Sequence, residues 1–122
     1  MEIEAEKLAL YRETARRRQV KARQAMLARQ EQAWITAREA ADLLRRRFGV
    51  DKVVLFGSLA RGDMFHAHSD VDLAVWGLAE AEYLRAVSAL LDLEGSIDVD
   101  LVRIEEAKPE LRHPIELEGK TI

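Results

Sequence analysis

The sequence predicts a small α/β domain, a mixed β-sheet with helices packed on one face, preceded by a long N-terminal helix. Three observations carry that reading. Met1 to Phe48 contains no glycine or proline and is dominated by Ala, Arg, Glu, Gln and Leu, all good helix formers. Lys52–Phe56, Asp70–Val75 and Ser96–Val102 are short runs rich in branched apolar residues, which suits strands. Between the last two runs, Leu78–Leu93 repeats apolar residues at helical spacing, so a helix should connect those strands. A chain of 122 residues has room for one modest core.

The helical half divides in two. Thr36-Ala37-Arg38-Glu39 has the form of a capping box, Thr followed three residues later by Glu, and marks where a break can fall. Beyond it, Ala37, Ala40, Ala41, Leu44 and Phe48 form an apolar stripe expected to pack on the sheet. Ahead of it, Leu8, Tyr11, Ala15, Ala22, Ala25, Met26 and Arg29 form a thin, alanine-rich stripe, too weak for a sustained coiled coil. Residues 1–36 are therefore expected as a helical arm and 37–122 as the domain. An arm of some 30 residues reaches about 45 Å, further than so small a domain can cover. It suits docking to a partner or a homo-oligomer, or stays solvated, and Arg16, Arg17, Arg18, Lys21 and Arg23 also permit a phosphate contact. Trp34 and Ile35 are expected to seal the helix against the domain.

Gly57-Ser58-Leu59-Ala60-Arg61-Gly62-Asp63 follows the first strand directly. A glycine at a strand's exit lets the backbone approach an anion closely, and Ser58 adds a hydroxyl beside backbone N–H groups, a combination that suits a triphosphate. Side chains alternate along a strand, so Asp70 and Asp72 share a face while Val71 and Leu73 point the other way. Two neighbouring carboxylates repel each other unless a cation lies between them, and hard oxygen ligands favour Mg²⁺. Asp98 and Asp100 repeat the alternation on the third run. Asp100, flanked by Val99 and Leu101, is the better third carboxylate, and Asp98 lies nearer the strand's entrance. Such a triad fits a two-metal phosphoryl-transfer site.

This order of motifs resembles the nucleotidyltransferase superfamily of DNA polymerase β, and within it the minimal nucleotidyltransferases of the MNT type. The resemblance covers Val53 to Ile122. It implies the polymerase β-like fold, with Gly57, Ser58 and Arg61 binding the nucleotide, Asp70, Asp72 and Asp100 holding Mg²⁺, and Asp100 as general base. ATP is the implied substrate. Eleven residues separate Ser58 from Asp70, one more than is usual in minimal members, and the extra residue falls within Met64–His68. Minimal members often pair with a HEPN-domain toxin, so the resemblance implies an antitoxin that adenylylates and neutralises such a partner. A non-catalytic binding antitoxin and a transferase acting on an aminoglycoside-like small molecule are the alternatives.

Composition excludes other classes. There is no Gly-x-x-x-x-Gly-Lys-Ser/Thr and no Gly-x-Gly-x-x-Gly, which removes the P-loop and dinucleotide readings. The chain has no cysteine, so it holds no disulfide and no thiolate metal site, and neither a signal peptide nor a long apolar span is evident. A cytoplasmic location with no membrane association is the expectation. The net charge of −3 hides an asymmetry: residues 1–50 carry twelve Lys/Arg against seven Asp/Glu, and residues 51–122 carry seven against fifteen. The acidic half is a poor surface for nucleic acid. His66 and His68 flank the aspartates, but imidazole is the wrong softness for Mg²⁺, and loop solvation or a base contact suits them better.

Overall fold

The computed structural model describes residues 2–62, 65–66, 69–95 and 97–122. Expectations attached to Asp63, Met64, His68 and Ser96 lie outside the described residues. The elements run α1 (Glu2–Phe48), β1 (Lys52–Phe56), α2 (Ser58–Arg61), β2 (Val71–Trp76), α3 (Tyr83–Leu91), β3 (Val99–Arg103), α4 (Pro109–Glu118) and β4 (Lys120–Thr121). The four strands form one mixed sheet in the order β3-β2-β1-β4. β1 runs antiparallel to β2 and β4, while β2 and β3 are parallel and joined by the α3 crossover.

The period of two along β1 and β2 decides what is buried. Val53, Leu55, Val71, Leu73 and Val75 point to one face and pack with Ala33, Ala37, Ala40, Ala41 and Leu44 of α1 and Ala86, Ala89 and Leu90 of α3. Alanines let α1 approach the sheet closely, and Leu44, fully buried, fills the space between them. Burying a leucine of this kind contributes about 2 kcal/mol or more. Val54 and Ala74 point to the opposite face, where Ile104, in a 3-10 turn after β3, and Ile115 of α4 cover them in a second, smaller cluster. The carboxylates share that second face. No helix among the described residues is long and apolar enough to cross a membrane.

α1 does not break at Thr36. It runs for 47 residues, about 70 Å at the helical rise. A cap at Thr36 would need non-helical backbone there, yet Ala33 and Ala37 on either side are both fully buried against the domain, which only an uninterrupted helix achieves. Thr36 is itself buried, and its Oγ1 has no hydrogen-bond partner among the described residues. Contact with the domain begins near Met26, and almost all of residues 4–25 are exposed, Leu8 and Tyr11 of the expected stripe included. Glu13 is engaged within the helix by Arg16 at 2.7 Å and Arg17 at 3.2 Å. Trp34 is half-buried, with the Arg38 and Lys120 cations over its ring, whereas Ile35 is 39% exposed and outside the core clusters.

The crossover helix is shorter than its apolar pattern and turned in phase. A 3-10 turn at Glu80–Glu82 precedes α3, and Leu84 and Leu91, two residues of the apolar pattern over Leu78–Leu93, are 78% and 73% exposed. The buried line is Ala86, Ala89 and Leu90, with Tyr83 and Val87 beside it. Tyr83 sets that phase by donating its hydroxyl hydrogen to the Leu101 carbonyl at 2.7 Å. At the C-terminus Pro109 opens α4, as its missing N–H allows, and the helix continues through Pro114 to Glu118. Gly119 then turns the chain into β4 where a Cβ would collide with the Ile115 carbonyl and Val54.

Candidate active site

β1 ends at Phe56 and the chain turns at Gly57, whose φ of 78° lies in the region that glycine alone enters cheaply. The four-residue helix α2 follows, anchored by the buried Leu59 and Ala60, with Arg61 N donating to the Gly57 carbonyl at 3.1 Å and Gly62 N to the Ser58 carbonyl at 2.9 Å. Gly57 has a second reason to be glycine. The space a Cβ would occupy is taken by the carboxylate of Asp72.

Register explains that proximity. Asp72 lies opposite Phe56 across the β1–β2 ladder and opposite Asp100 across the β2–β3 ladder. It is therefore flanked by the turn on one side and by a second carboxylate on the other. Asp70 precedes β2 on the same face by alternation. Its segment is held by Val71 N donating to the Asp98 carbonyl at 2.9 Å and by the buried Ser69, whose Oγ accepts from His66 N at 2.9 Å. His66 is exposed, in line with a loop role. Asp98 lies outside β3, and Asp100, although exposed, is the one in register with Asp72.

The electrostatics follow this geometry. Burial pushes the Asp72 carboxyl up to about 6, repulsion from Asp100 and Asp70 adds to the rise, and Arg61 opposes it. Asp70 is also raised, first by burial and then by Asp100 and Asp98, with Arg29 opposing. Arg61 sits on α2 and approaches Glu118 of α4 at 3.5 Å, so it bridges the turn and the C-terminal helix within range of Asp72. Arg29 was legible in the sequence only as the last residue of the arm's weak stripe. The fold carries it to the aspartates, where its Nη2 lies 3.5 Å from the Ser69 carbonyl.

Among the described residues, no group of three His, Cys, Asp or Glu side chains is close enough to hold a metal ion unaided. The donor set still fits Mg²⁺, which takes one or two carboxylates and completes its octahedron with water and substrate phosphates. A half-buried carboxylate raised by burial and by its carboxylate neighbours is a site that gains from a cation.

Comparison with known proteins agrees with this arrangement. The family model described as "Polymerase beta, Nucleotidyltransferase" matches residues 38–122. A solved structure described as a minimal nucleotidyltransferase is 30% identical, with 76% of this chain and 95% of that one covered and a TM-score of 0.61. A mutant form of the toxin–antitoxin pair MntA-HepT is 26% identical over 70% of both chains, with a TM-score of 0.55. A toxin–antitoxin structure with AMP-PNP is 28% identical over 68% of this chain and 69% of that one, with a TM-score of 0.53. No curated protein matches the chain. With the turn, the sheet order and the family match in agreement, the chain belongs to the polymerase β-type nucleotidyltransferases and is a nucleotidyltransferase.

Proposed function

We propose that this nucleotidyltransferase transfers AMP from ATP, in a Mg²⁺-dependent reaction, to a HEPN-type toxin that it neutralises as the antitoxin of the pair. The observation that carries the chemistry is the register of Asp72 beside Asp100, with Gly57 closed against the Asp72 carboxylate. Support for the partner comes from the MntA-HepT toxin–antitoxin structures, and for the nucleotide from the neighbour solved with AMP-PNP. The exposed stretch of α1 offers a partner a rigid docking arm.

In this reading Gly57 and Ser58 receive the triphosphate, Arg61 steadies its charge, and Asp70, Asp72 and Asp100 hold Mg²⁺. When bound, Mg²⁺ neutralises charge on the phosphate oxygens. Asp100 takes the proton of the acceptor hydroxyl. The acceptor oxygen forms a bond to the α-phosphorus, the bond from that phosphorus to the bridging oxygen breaks, and pyrophosphate leaves with its electron pair. Asp72, on an interior strand between the glycine turn and Asp100, would be the central ligand of the ion.

The test is transfer of α-labelled ATP with Mg²⁺ to the HEPN-type protein, with Asp72→Asn as control. Label that appears on the partner and vanishes in the variant is the expected result. Absence of label, with a stable complex that silences the partner equally well in both forms, would replace catalysis by binding.

A further inference from the structure

We propose that Arg29 of the long helix is a substrate-binding residue of the transferase site, contributing a guanidinium that takes a phosphate oxygen of the nucleoside triphosphate. The inference rests on the nucleotidyltransferase reading and extends it to an element outside the turn and strand motifs. Arg29 lies on α1, far from the motif in sequence, yet its Nη2 stands 3.5 Å from the Ser69 carbonyl, one residue before Asp70. That contact is long for a hydrogen bond and occupies one of five donors. The Nε is buried and has no partner among the described residues. A guanidinium with a buried, unused donor is costly, and the cost is offset once an anion arrives. Its charge already bears on Asp70.

A cleft of about 580 Å³ lies between Arg23, Met26 and Gln30 of the same helix and Gly62 and Phe65 at the end of the glycine turn, and Arg29 is next to this lining in sequence without being part of it. Three carboxylates on one face repel the triphosphate, and Arg61 shares its charge with Glu118 at 3.5 Å. A second cation from the helix corrects the balance. The alternative role for Arg29 is a strut tying α1 to Ser69.

Two variants of the full chain separate these roles. Arg29→Met keeps the stem and removes every donor, and Arg29→Gln keeps an amide near the Nε position without the charge and without the reach to the Ser69 carbonyl. Binding of AMP-PNP with Mg²⁺ is read by calorimetry, beside thermal unfolding and binding of Mn²⁺ alone. Both variants are expected to bind AMP-PNP about ten- to a hundredfold more weakly, the range of a charge-assisted hydrogen bond. Mn²⁺ should bind each variant as tightly as wild type or more tightly, since a competing cation is gone. If Arg29→Gln binds the nucleotide within about twofold of wild type, the charge is not used and the proposal is overturned, whether or not Arg29→Met folds. Wild type that binds no AMP-PNP would overturn the underlying reading as well, a result distinct from equal binding by wild type and variant.

Discussion

Asp72→Asn should stabilise the metal-free protein while abolishing transfer. The folded state holds the Asp72 proton up to about pH 6, against an ordinary value of 3.8, so between those values the folded protein binds a proton that the unfolded chain has released. Stability from this group is therefore lost as pH rises from about 4 to about 6 and is flat above. The full rise from 3.8 to about 6 corresponds to about 3 kcal/mol against folding at neutral pH. Solvent screens a half-buried carboxylate, which leaves about 1–2 kcal/mol. Asparagine keeps the shape and carries no charge, so at pH 7.5 in chelator the variant should melt roughly 4–8 °C above wild type. At pH 4 that gap should shrink to about a third, because wild-type Asp72 is then mostly protonated in the fold and about half-protonated without it. Circular dichroism melts at both pH values, with and without Mg²⁺, read the effect. Added Mg²⁺ should raise wild type and leave the variant unmoved, while transfer drops by about a thousandfold, the scale of losing a metal's charge stabilisation. A variant no more stable than wild type at pH 7.5, or a gap that persists unchanged at pH 4, would refute the cost of burying the Asp72 charge beside Asp100 and Asp70.

Other sites give sharper structural tests. Gly57→Ala places a methyl group on the Asp72 carboxylate and forces a side chain to a φ of 78°, so it should lose about 1–2 kcal/mol of stability in denaturant titration and at least about tenfold in transfer. Thr36→Val removes a buried hydroxyl that has no partner among the described residues, and urea unfolding should show a gain of about 1 kcal/mol. Leu44→Ala leaves a cavity between α1 and the sheet and should cost about 2–5 kcal/mol in the same measurement. Deleting residues 2–24, which lie ahead of the first contact with the domain at Met26, should leave the melting temperature within a few degrees and intrinsic nucleotide binding intact, while partner capture in a pull-down is lost.

Much of the fold was legible because each element carries its own local signal. The glycine at the exit of β1 and the alternation of Asp70 with Asp72 and of Asp98 with Asp100 are short-range patterns, and the turn and strands they predict are present, with Asp70 and Asp98 immediately ahead of β2 and β3. The helix end was less legible. A Thr-x-x-Glu pattern caps a helix only when the preceding residues are free to leave it, and Ala33, locked against the domain, is not. The phase of α3 failed for a similar reason. Its apolar residues surround most of the helix, and the Tyr83 hydroxyl on the Leu101 carbonyl chose which of them face inward.

By itself, the sequence determined the strands, the turn and which carboxylates share a face, because side-chain alternation and glycine's backbone freedom act within a few residues. The flanking residues already favoured Asp100 over Asp98, but only the tertiary structure set it beside Asp72, since ladder register, not sequence distance, places the two opposite each other. It alone brought Arg29 from the long helix to Asp70, for nothing local relates two residues so far apart until α1 is laid across the sheet.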